Sequence, residues 1–178
     1  MTSESNNKND DTDNKWIQWI KDGIDNEYIN YHDYNEFQDM ECIGVGGFGN
    51  VYRANWKSSD TVVALKSLTN GKDGMKEVVN EIKLMHRINF HENIIQFFGI
   101  TSNPNDESSN YSFILEYADS GTLKNYLKKN FNKLDWNIKL QFAIQIAAAV
   151  SCIHQKDIIH NDLVNILVIY WFIKIRSN

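Results

Sequence analysis

The run Ile43-Gly44-Val45-Gly46-Gly47-Phe48-Gly49-Asn50-Val51 is the strongest single constraint on how this chain folds. It carries the spacing GxGxxG, which occurs in two different settings. A glycine turn that cradles a dinucleotide opens a helix. Here the glycines are followed by Val51, Tyr52 and Trp56, residues that favour strands, so they are expected at the tip of a β-hairpin. Glycine at such a tip leaves the backbone free to approach phosphate oxygens that a side chain would hold off. An ordinary glycine hairpin with no ligand is the alternative.

Short strand-like runs bounded by turn residues are expected at 39–44, 50–56, 61–67, 96–101 and 111–117. Between the third and fourth, Met75, Val78, Val79, Ile82, Met85 and Ile88 follow helical spacing. An α+β fold results, a five-stranded sheet with one inserted helix. Pro104 lies in the polar run 102–110, which is expected to project into solvent. Further on, Leu140, Ala143, Ile144, Ala147 and Val150 mark a second long helix. Ahead of the sheet, residues 1–14 have no apolar residue after Met1 and are expected to be a disordered tail. Residues 15–36 hold a short amphipathic helix and linker, with Trp16, Ile20 and Ile24 four apart and Ile17 and Trp19 beside them. That stripe needs a partner, either the domain that follows or another protein.

The third strand reads Val63-Ala64-Leu65-Lys66, a buried-type run that ends on a lysine. After a GxGxFGxV hairpin this resembles the lysine strand of the protein kinase superfamily, and the resemblance extends from Phe37 to the C-terminus. It implies a kinase-like fold: an antiparallel five-stranded N-lobe with its helix C at 37–115, a hinge at 116–121 and a partial helical C-lobe at 122–178. NEIKLMHRINFHENII resembles helix C and the turn after it, which would make Glu81 the ion-pair partner of Lys66, with Glu77 as the rival. FILEYADSGTL resembles the hinge, with Leu115 at the gatekeeper position and backbone groups of Glu116 and Ala118 facing the adenine edge. The resemblance further implies ATP on Gly44, Val45, Gly46, Gly47, Phe48 and Gly49, with Val51 and Ala64 over one adenine face and Leu167 over the other. Lys66 would pair the α- and β-phosphates. The hinge and helix segments are most similar to the tyrosine-kinase-like branch.

Ile158-Ile159-His160-Asn161-Asp162-Leu163-Val164-Asn165 resembles the catalytic loop, in which Asp162 would accept the substrate hydroxyl proton and Asn165 would hold Mg2+. Two departures stand out. Asp162 to Asn165 is 165 − 162 = 3 positions where the family has five, and the missing pair removes up to ~7 Å of reach. Val164 stands where the family carries a basic residue, and Asn161 where it carries Arg. The chain ends at Ser177-Asn178 ahead of any DFG turn, so as an isolated chain it is expected to be a truncated domain with little or no turnover. Met85, Phe97 and His160 would fill three positions of the stack that joins kinase lobes, the DFG phenylalanine being the missing member. His154 reads as a structural residue at a helix end. A non-catalytic nucleotide-binding or interaction module (a pseudokinase), or a truncated gene product, is the alternative to a signalling kinase.

Composition excludes other classes. A net charge of −5 and a pI near 5.5 leave no basic block for phosphate-dominated nucleic-acid binding. Cys42 and Cys152 have neither disulfide-framework nor zinc spacing and read as reduced thiols. No signal-like stretch opens the chain and no run approaches about 20 apolar residues, so a soluble, cytoplasmic protein without a membrane partner is expected. Its partners would be ATP and a protein substrate.

Overall fold

The computed structural model describes residues 7–46, 49–67, 74–105, 111–119 and 123–158. The chain divides into two compact units, Met1–Met85 with Phe97–Tyr117, and His86–Gln96 with Ala118–Asn178.

The first unit is built on a five-stranded antiparallel sheet of order β1-β2-β3-β5-β4. Its strands are β1 (Phe37–Gly46), β2 (Gly49–Trp56), β3 (Thr61–Ser67), β4 (Phe97–Ser102) and β5 (Tyr111–Glu116). All five fall within two residues of where turn chemistry and β-branched runs put them. β3 is buried from Val63 to Lys66 because both of its faces are covered, which is why it reads as a continuous apolar run rather than an alternation. Val63 and Leu65 join Phe37, Ala54 and Ile114 in one core, edged by Met40, Tyr52, Trp56 and Phe98. Ala64 and Lys66 point to the opposite face, as the two-residue period requires.

α2 (Gly74–Ile88) is the inserted helix. Val78, Val79, Ile82 and Met85 on it are all nearly or fully buried, the same residues that gave it away in the sequence. α1 (Asn7–Asp25) begins within the expected disordered tail, eight residues before position 15. Once the stripe around Ile20 is docked, each further residue adds a hydrogen bond without a new nucleation cost, so polar sequence can extend a helix it would not start. Ile20 is fully buried, and Lys83 of α2 lies over the rings of Trp16 and Trp19, so the stripe is covered from within the chain.

After α1 the chain runs along the outer edge of β4. Ile100 donates its backbone N–H to Asn30, and His32 donates to Ile100, with Tyr31 bridged in parallel to Ile100. A 3-10 turn (Tyr34–Glu36) capped by Asp33 leads into β1. The Trp56 indole donates to Glu36 at 2.9 Å, and Ser58 hydrogen-bonds the same carboxylate. These two bonds, Ser58's first, hold the Glu36 carboxyl below its ordinary pKa.

The second unit packs Ile88, Ile94, Ala149, Cys152 and Ile153 into its core, with Ile158 at the margin. α3 (Leu123–Asn130) buries no residue, and its short 3,4 spacing of Leu123, Tyr126 and Leu127 was not singled out in the sequence. α4 (Trp136–His154) starts on Asp135, whose carboxylate accepts the Ile138 N–H at 2.8 Å. Its buried residues are Phe142, Ala149, Cys152 and Ile153, whereas Leu140 and Ile144 of the expected stripe are 55% and 59% exposed. By length and composition alone α4 is apolar enough to cross a membrane, contrary to the expectation that no run comes near that limit. His154 closes the helix and accepts the Asp157 N–H on its carbonyl.

Candidate functional site

β1 and β2 form the expected glycine hairpin. Gly44 is paired with Val51, Val45 with Asn50 and Gly46 with Gly49. Gly47 and Phe48 lie outside the described residues. Gly49 has φ +115°, a conformation that favours glycine. Among the described residues a Cβ on Gly44 would meet only Val51 Cβ at 3.8 Å, an ordinary contact, so none of them demands glycine there. Val45 is 81% exposed on the hairpin.

Pairing of β2 with β3 sets Val51 opposite Lys66, and pairing of β3 with β5 sets Ala64 opposite Leu115 and Lys66 opposite Phe113. Lys66 is almost wholly buried, its Nζ 5.8 Å from the centre of the Phe113 ring. An ammonium there loses most of its hydration and is retained only with a partner. Glu81 supplies it: Lys66 Nζ donates to Glu81 Oε1 at 2.7 Å. Glu77, one turn earlier on α2, is exposed, so the structure selects between the two glutamates that helical spacing left open. Burial pushes the Lys66 ammonium below the usual lysine range, and the charge and hydrogen bond of Glu81 pull it partly back. The Phe113 ring beside Lys66 escaped the sequence reading, although its place in an apolar strand paired with the lysine strand was the available signal.

Leu115 is buried and Glu116 ends β5, while Ala118 opens the second unit's portion of the chain without helix or strand. Met85 and Phe97 are both buried. Asp162, Asn165, Leu167 and His160 lie outside the described residues, so the structure gives no geometry for the catalytic loop.

A glycine-tipped hairpin over a lysine strand, with that lysine ion-paired to a helix inserted before the fourth strand, is the architecture of a protein-kinase N-lobe. Comparison with known proteins agrees: the family model for protein tyrosine and serine/threonine kinases matches residues 37–176. The chain belongs to that family. It is 32% identical over 162 residues to the tyrosine-protein kinase SPK-1 of Girardia tigrina, covering 80% of this chain and 32% of the relative. It is 31% identical over 134 residues to the L-type lectin-domain containing receptor kinase IX.2 of Arabidopsis thaliana, covering 72% of this chain and 19% of the relative. To the probable serine/threonine-protein kinase gdt2 of Dictyostelium discoideum it is 31% identical over 153 residues, covering 86% and 9% respectively. The chain thus spans a third or less of the length of these relatives.

Proposed function

We propose that this chain binds ATP through the β1–β2 hairpin and Lys66, and that phosphoryl transfer by it is impaired. The Lys66–Glu81 ion pair carries the first half of this reading. A lysine kept charged at such depth by a helical carboxylate presents a fixed cation, suited to the α- and β-phosphates of a nucleotide. Gly44 adds support, since its packing against the described residues does not require the lack of a side chain, which fits close approach by a phosphate.

In the family reaction the acceptor hydroxyl oxygen bonds to the γ-phosphorus as the bond to the bridging β-phosphate oxygen breaks, and an aspartate takes the hydroxyl proton. Asp162 is the residue for that role. Mg2+ neutralises charge on the phosphates when bound, and Asn165 is the residue the resemblance assigns to it. With three positions between Asp162 and Asn165 in place of five, one backbone cannot present both side chains at the family's separation without distortion. Transfer depends mainly on positioning and charge neutralisation, so this shortening acts on the leading catalytic contributions. The same spacing favours the second reading, a non-catalytic nucleotide-binding module.

Thermal unfolding with and without ATP, paired with a transfer assay on a generic protein acceptor, separates the readings. ATP should stabilise the chain, by about 2.7 kcal/mol at a hundred times its Kd, and Lys66→Met should abolish the gain. Absence of any stabilisation would sink nucleotide binding. Robust transfer that is lost in Asp162→Ala would overturn the impairment.

A further inference from the structure

α2 is held from two sides. Toward the sheet, Glu81 bonds Lys66 at 2.7 Å. Two residues on, about 200° around the helix, the Lys83 ammonium sits 4.7 Å from the Trp19 ring centroid and 5.7 Å from that of Trp16. The rings belong to α1, so α1 backs the helix on the side away from the ion pair.

α1 is itself tied to the sheet. Ile29 donates its N–H to the Gly23 carbonyl at 2.8 Å, and Gly23 lies so close to Ile29 that an added Cβ would meet its Cδ1 at 2.7 Å. Directly after Ile29, residues Asn30 to His32 hydrogen-bond along β4 at 2.9 and 3.0 Å. Ile20 and Ile29 are 0% and 1% exposed. One continuous segment therefore runs from the outer face of α2 to the edge strand of the sheet that carries Lys66. A cation over two aromatic faces is directional, and it fixes where Lys83 and with it the turn bearing Glu81 can sit.

We propose that Trp16 and Trp19, acting through Lys83, are positioning residues that hold Glu81 against Lys66 and so set the affinity of the site for nucleotide phosphates. The affinity part rests on the reading of Lys66 as a phosphate ligand; the positioning part does not. Neither indole nor Lys83 touches the ligand. Their effect reaches it through the placement of α2.

The 178-residue chain tests this in the forms wild type, Lys83→Ala, Trp19→Ala and Lys83→Arg, the last retaining a cation that stacks on aromatic rings. Two quantities are read: the Kd for ATP beside that for adenosine, which lacks phosphates, and the rate at which an N-hydroxysuccinimide ester labels Lys66 relative to exposed Lys57 in nucleotide-free protein. Lys83→Ala and Trp19→Ala should weaken ATP about threefold to tenfold, leave adenosine within about twofold, and raise relative Lys66 labelling as the pair opens. Lys83→Arg should restore both. Unchanged Lys66 labelling in Lys83→Ala overturns the inference, and so does an equal loss for ATP and adenosine, which marks general destabilisation. If wild type binds neither ligand, the nucleotide reading fails and the labelling alone decides whether α1 positions Glu81.

Discussion

Lys66 occupies a position at which a charge is costly and is kept only by company. Its side chain is 5% exposed while that of Glu81 is 26% exposed, so the pair is half in and half out of water. Removing Glu81 takes from the buried ammonium its 2.7 Å carboxylate, whereas replacing both with apolar groups removes the desolvation cost together with the bond. Glu81→Ala should therefore lose on the order of 2 kcal/mol in urea unfolding, less than a fully buried pair because water reaches the glutamate. The double variant Lys66→Met/Glu81→Leu should match or exceed wild type, and a double variant less stable than Glu81→Ala would refute the account. The pH profile has a definite sign. Because the folded pKa of Lys66 is lowered, the unfolded chain binds more protons between that value and 10.5. Wild-type stability relative to Lys66→Met should rise with pH through that window and stay level at its lower value below it, where both states hold the proton. At this scale the sequence was informative about Lys66, since a lysine ending a buried strand after a glycine hairpin is unusual. Helical spacing alone did not discriminate Glu81 from Glu77, because residues four apart share a helix face; the resemblance of 80–95 to helix C favoured Glu81, the residue the structure pairs with Lys66.

Elements show the same division between what a pattern can and cannot specify. The five strands were legible because each is bounded by turn residues, and α2 because its apolar positions recur at helical spacing. The strap from Asn30 to His32 was not, since a single bridge to Ile100 leaves no two-residue alternation to detect. Its counterpart on β4 did leave a mark in Gly99. That residue has φ +142° at the irregular step between Phe97 and Gly99, and a Cβ there would collide with the Asn30 carbonyl oxygen and lie 2.9 Å from the Asn30 Cβ. Both the backbone conformation and the strap exclude a side chain. Gly99→Ala should cost at least about 2 kcal/mol. Amide exchange at Ile100 and His32, whose hydrogen bonds join strap and strand, should rise more than exchange in β2 or β3. Uniform acceleration across the sheet would show that the strap is not a separable element.

At the scale of the molecule, α4 shows why an apolar helix can be found in a sequence and its buried face still be missed. Apolar residues surround this helix, so periodicity marks its existence and leaves its orientation open. Burial went to Phe142, Ala149, Cys152 and Ile153, which meet Ile88, Ile94 and, through Phe142, the Tyr126 ring at 5.8 Å. The other side carries Trp136, Leu140 and Ile144, four apart along the helix and 80%, 55% and 59% exposed. Three large apolar side chains in one row form a contiguous patch of the kind that drives association. Their contribution to the fold of the second unit is small for the same reason, because what is already in water gains nothing from folding. Solubility and stability should consequently separate. Leu140→Gln/Ile144→Lys keeps residues with good helix propensity, and it should lower concentration-dependent light scattering while moving the unfolding free energy by no more than about 0.5 kcal/mol. If the double variant instead unfolds more readily and scatters as before, the row is packed against protein and the exposed side of α4 lies elsewhere.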